Sequence, residues 1–288
     1  LDSNGNNQLS NTGEEMMRNM RMAVVIVVVW FFCAGAVSAR AVEYEFGPYV
    51  SHFNYKEPGV MEDKGYLSGI FGAVTARPEQ TGAYWPGMYR LDGSMGFGEV
   101  DYTSQSTGSI NGIDEFMLEA RYVAGYDFPA ASGARVTPYA GLGYRYLRDD
   151  SGGMRSSTGH FGYKRESNYW YIPVGVEASG PLAGGWGAGF TAEFDVFLRG
   201  KQKSHLGDAV LGLDTLENTQ DSGYGARGSV RITRETAGAV FLLEPYVRWW
   251  KIDDSRLSLI ACDPSVCIFG YEPRNESLEA GVKAGVAF

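Results

Sequence analysis

Residues 277–288 read SLEAGVKAGVAF. Phe288, Val286, Ala284, Val282 and Ala280 fall on one side of a two-residue period, while Ala287, Gly285, Lys283, Gly281 and Glu279 fall on the other. A period of two belongs to a β-strand, and here one side is wholly apolar while the other carries a lysine, a glutamate and glycines.

The pattern recurs upstream in residues 42–55, 65–77, 88–102, 113–128, 135–150, 168–179, 186–201, 223–234 and 240–254, which with the terminal segment makes ten expected strands. In residues 113–128, Phe116, Leu118, Ala120, Tyr122 and Ala124 alternate with Glu115, Met117, Glu119, Arg121 and Val123. Such segments are longer than the ~5–6 residues of an ordinary soluble strand and suit a tilted crossing of a bilayer. Connections alternate too: DFPAASGAR, ASGPLAGGW and TRETAGAV are tight, whereas residues 151–166, 202–222 and 255–276 are long and polar. Tight turns at one end, long loops at the other and aromatic residues near strand ends are the marks of a membrane barrel. A soluble sandwich would explain the alternation but not the loop asymmetry or the export signal described next.

The 288 residues carry a net charge of −9, which offers no basic footprint for nucleic acid. Residues 16–41 read as a signal peptide, with Arg18 and Arg21 before an apolar run and small residues up to Ala41. Residues 1–15 fit neither signal nor fold, and translation is expected to begin at Met16, Met17, Met20 or Met22. Residues 42–288 then form the barrel. Past the signal only Cys262 and Cys267 remain, an exported close pair that reads as a loop disulfide. No cofactor motif and no resident metal site is evident.

The terminal LEAGVKAGVAF resembles the last strand of Gram-negative outer-membrane proteins, and segments such as TPYAGLGYRYL resemble small OmpA-like or porin-like barrels. The resemblance implies an all-β, closed, antiparallel, up-and-down transmembrane barrel of about ten strands, with eight or twelve as alternatives. It also implies residence in the bacterial outer membrane, contact with its lipid and lipopolysaccharide, and recognition of Phe288 by the barrel-assembly machinery as an assembly signal.

If the alternation holds, the lumen carries Arg90, Asp92, Glu115, Glu119, Arg121, Arg145, Glu177, Glu193, Asp195, Arg199, Arg227, Arg231, Glu244, Arg248, Glu279 and Lys283. Mixed signs in a lumen this narrow predict ion pairs and a largely filled interior. The expected role is a structural protein or a narrow pore for ions or small solutes, not an enzyme. One alternative is an omptin-like protease or lipid-modifying barrel, drawing on Asp149, Asp150, Asp253, Asp254, Asp208 and the histidines His52, His160 and His205. Another is an adhesive or ligand-binding barrel whose acidic loops, including Asp214, Glu217 and Asp221, hold divalent cations.

Overall fold

A computed structural model describes residues 39–78, 87–262 and 266–288. The expected N-terminal segment and all but the last three residues of the expected signal peptide lie outside the described residues. Alternation becomes strand throughout: β1 (Ala39–Glu57), β2 (Met61–Pro78), β3 (Met88–Ser104), β4 (Gly108–Gly125), a short β5 (Phe128–Pro129), β6 (Arg135–Asp150), β7 (Lys164–Pro181), β8 (Trp186–His205), β9 (Thr215–Gln220), β10 (Gly223–Glu235), β11 (Val240–Ile252), β12 (Ser258–Cys262), β13 (Cys267–Gly270) and β14 (Asn275–Ala287). Each of the ten expected segments corresponds to one long strand.

The strands form one twelve-stranded antiparallel sheet, in which β5 and β9 are side pieces and the other ten close on themselves. The order runs β1-β2-β3-β4-β6-β7-β8-β10-β11-β14, and β14 returns to β1 through pairs from Glu45↔Ala287 to Lys56↔Glu276. Closure leaves no edge, so each backbone group finds its partner without water, as lipid requires. The terminal phenylalanine finishes this seam. Its backbone exchanges hydrogen bonds of 3.0 and 3.1 Å with Tyr44, and its exposed ring lies 5.9 Å from Tyr44 and 6.0 Å from Phe46.

At the long-loop end the strands run further than expected. β9 pairs with the top of β8, from Gly200↔Gln220 to His205↔Thr215, because Leu216, Asn218 and Gln220 keep the inward alternation. β12 and β13 form a separate hairpin clamped by the Cys262–Cys267 disulfide. The three-residue helical turns Ala131–Gly133 and Ala183–Gly185 serve the opposite end, with Ser132 and Gly184 at positive φ.

One register irregularity changes a side-chain assignment. Trp170 pairs with Arg199 but Tyr171 pairs with Phe197, so β8 holds one extra residue, a β-bulge. Period-two counting from Glu193 puts Arg199 in the lumen; the bulge instead turns it outward, where it is exposed. Phe197 and Gly200 keep the inward face. That assignment is therefore corrected.

A closed barrel resists detergent unfolding until heated. The unboiled, refolded protein is expected to migrate differently from the boiled sample on a denaturing gel, and identical migration would contradict closure. Exchanging Cys262 and Cys267 for serine should leave this shift intact, because their hairpin stands outside the ring.

Candidate functional site: the barrel lumen

Inward-facing residues meet across a narrow interior and sort into four storeys. At the short-turn end Arg90 reaches Glu45 (2.9 Å) and Glu177 (3.0 Å), Arg231 reaches Glu45 (2.6 Å) and Glu244 (2.7 Å), and Lys283 adds to Glu244 at 3.6 Å. These groups line a vestibule of about 80 Å³.

Above it lies the second storey. Arg121 bridges Asp92 (2.9 Å) and Glu193 (2.6 Å), and Arg227 bridges Glu119 (2.8 Å) and Glu193 (3.1 Å). Arg248 binds Glu119 and Glu279. Tyr139 donates to Glu193 and Tyr171 to Glu119, both at 2.7 Å. Eight strands contribute to this web, so cross-lumen charge pairing ties distant parts of the ring together. Asp195 is fully buried next to it, and its carboxylate makes no hydrogen bond among the described residues.

The third storey is apolar. Phe53, Leu67, Ile113, Met117, Leu147, Tyr169, Phe197 and Trp250 pack as one buried cluster inside the barrel. Glycines seat its largest rings: a Cβ on Gly143 would come within 2.2 Å of the Tyr171 ring, and one on Gly225 within 2.8 Å of Trp250. Arg145 joins the two storeys, donating to Ser277 at 3.2 Å with its guanidinium 5.8 Å from the centre of the Trp250 ring.

At the long-loop end Arg165 gathers Glu57 (2.8 Å), Asp63 (2.8 Å) and Asp149 (3.2 Å). Glu115 lines the same small cavity of about 20 Å³. Glu272, from the segment between β13 and β14, lies over this group and accepts from Tyr55 at 3.3 Å. Burial and the neighbouring Glu57 carboxylate push Glu272 up to about 8.

Of the sequence-expected lumen residues, Arg121, Arg145, Glu193, Asp195, Arg227, Arg231, Glu244, Arg248 and Lys283 all face inward, as do Arg90, Asp92, Glu115, Glu119, Glu177 and Glu279. Sequence reading missed Glu45, Asp63, Arg165 and Glu272, and it missed the apolar storey. A signal for that storey was present, since Met117, Phe197 and Trp250 already fell on the charged face of their strands.

The residues considered for catalysis do not converge. His205 pairs with Glu166 (2.7 Å) rather than with Asp208, which accepts instead from the Lys164 backbone (3.1 Å). His52 packs against Tyr66, and His160 bonds Thr158. Asp253 accepts from Ser222, Asp254 from the Arg274 backbone, and Asp149 is held by Arg165. No group of three or more His, Cys, Asp or Glu side chains among the described residues is placed to hold a metal ion.

The family model of the autotransporter beta-domain matches residues 53–250. The chain belongs to the autotransporter beta-domain family. It is therefore a Gram-negative outer-membrane β-barrel, with its ten-stranded ring in the bacterial outer membrane. Among solved structures it is similar to the outer membrane protease OmpT from Escherichia coli, at 10% identity over 88% of this chain and 98% of that one, with a TM-score of 0.59. It also matches the translocator domain of autotransporter NalP from Neisseria meningitidis, at 11% identity over 95% and 96% of the two chains, with a TM-score of 0.40. The OmpT likeness shows a shared fold. No curated protein matches the chain.

In this autotransporter-type barrel, Glu119 is the point where Arg227 and Arg248 meet. Removing one partner of a buried network strands the others, at a cost of ~3–5 kcal/mol. Glu119→Ala is expected to lose about that much stability in urea titrations followed by gel migration. Breaking the exposed Lys201–Glu217 pair should cost at most ~1 kcal/mol. Equal effects would contradict the network's role.

Proposed function

We propose that the protein is a closed outer-membrane barrel, a structural scaffold that holds a crown of extracellular loops over a lumen sealed at rest. The observation that carries this reading is the apolar storey stacked on the ion-pair web. An ion climbing from the vestibule would have to shed its hydration against Leu67, Ile113 and Met117. The polar groups touching Met117 are the guanidinium groups of Arg145 and Arg248, already engaged with Ser277 and with Glu119 and Glu279. Hydrophobic constrictions close pores by excluding water. Above that layer, the 20 Å³ cavity has room for about one water molecule. A narrow pore would need Phe197, Tyr171 or Trp250 to swing aside.

Family membership favours a second reading, in which the barrel moves an attached segment across the membrane. A polypeptide crossing the lumen would run into the ion-pair web and the apolar storey, so that function would require the Arg121, Arg227 and Arg248 pairs to part and the apolar storey to clear. A proteolytic role finds little support, because His205 and Asp208 bond to different partners.

Planar-bilayer recording of the refolded protein tests the proposal. Wild-type barrels, shown folded by their gel shift, are expected to be electrically silent. Replacing Leu67 and Met117 with serine should admit water and produce small, reproducible conductance steps. Discrete steps from the wild type at modest voltage would overturn the sealed-lumen reading.

A further inference from the structure

The β8 bulge has a second consequence, on the outside of the barrel. Below it Phe194, Val196 and Leu198 face outward, as lipid requires. Above it the extra residue brings Arg199, Lys201 and Lys203 to that same outer side. Without the bulge, these three cations would point into the lumen. We propose that they form the core of an outer-leaflet binding site for the phosphate groups of a phosphorylated glycolipid.

Height and charge carry the assignment. Arg199 lies opposite Trp170, which itself lies opposite Tyr144, and the Tyr144 and Trp170 rings are 4.9 Å apart. Aromatic pairs of this kind mark the membrane–water boundary. Lys201 and Lys203 stand one and two strand steps above, opposite Asn168 and Glu166. On the next strand Arg148, opposite Glu166, adds a further cation and lies 5.9 Å from the Phe116 ring. The basic column thus begins where the lipid-facing apolar surface ends, at the level of lipid headgroups.

The opposing carboxylates are few. Glu217 accepts from both Lys201 (2.5 Å) and Lys203 (3.2 Å), which draws the two ammonium groups together, and Glu166 is engaged by His205 at 2.7 Å. Arg199 makes no salt bridge among the described residues, and its planar fork suits two phosphate oxygens. At the same end of the barrel β3 and β4 expose Glu99, Asp101 and Asp114, so the positive sector is local to β6–β8. A soluble partner would not need cations continuous with a lipid-facing strip; a lipid headgroup would.

The test uses the refolded full chain in detergent with purified lipopolysaccharide, in native and enzymatically dephosphorylated forms. Each Lys or Arg near a charged membrane surface contributes enough that the triple exchange R199Q/K201Q/K203Q should weaken binding of the native form by at least ~10-fold. A Lys56→Gln/Lys64→Gln variant, altered in a different sector, should bind as wild type. The dephosphorylated form should bind the wild type no better than the triple variant binds the native form. If the triple variant fails to show the folded gel shift, Arg199→Gln against Arg199→Lys makes the same comparison, with binding retained by lysine. Unchanged binding by a folded variant, equal binding of both glycolipid forms, or full displacement by inorganic phosphate at matched phosphate concentration would each overturn the proposal. None of these outcomes depends on whether the lumen conducts.

Discussion

The structure depends on the buried carboxylate of Glu119, shared by Arg227 and Arg248 across the barrel axis. Ten strands leave an interior too narrow for charges to keep their hydration, so inward arginines seek carboxylates on other strands, and Arg145 instead leans on Ser277 and the Trp250 ring. The second storey does this with Arg121, Arg227 and Arg248 set among Asp92, Glu119, Glu193 and Glu279. A one-residue slip of any strand would turn its charges out to lipid and its apolar residues inward. The web therefore penalises every register but one, which is a stronger reason for so many buried charges than any net stabilisation they supply.

Above the web the interior changes character. Phe53, Leu67, Met117, Tyr169 and Trp250 fill the lumen as a core fills a soluble domain. The cluster begins at Phe197, between the outward Val196 and Leu198, and continues towards the long-loop end, where the top of β8 is flanked by β7 and β9. Arg165 and its three carboxylates cap the cluster, and Glu272 lies over them from the last loop. The same β8 that lines this core carries the bulge that moves Arg199 to the outer surface, so a single inserted residue serves both faces of one strand.

Much of this was legible in the sequence. Alternation in residues 113–128, 186–201 and 277–288 located strands and faces, because a barrel in lipid tolerates few errors in period two. Strand limits were less legible at the long-loop end, where β9 hides in a polar tract and Leu216, Asn218 and Gln220 keep the inward rhythm with little hydrophobic contrast. Arg199 was misplaced because no residue type announces a bulge between Leu198 and Arg199; only the pairing with Trp170 and Tyr171 reveals it. Asp63 and Arg165 were missed because charged residues near strand tops look alike whether they point to water or to each other. The storey arrangement needed the three-dimensional register, although Met117, Phe197 and Trp250 on a charged face hinted at it.

Whether the lumen is sealed can be read most directly from side-selective thiol labelling in intact outer membranes. Ser229 lines the vestibule below the apolar storey, and Ile113 lies within that storey. A small, membrane-impermeant reagent should label Ser229→Cys when supplied from the short-turn side only, and should not reach Ile113→Cys from either side. Rapid labelling of Ser229→Cys from the long-loop side would show a continuous water path through the barrel and contradict the sealed lumen.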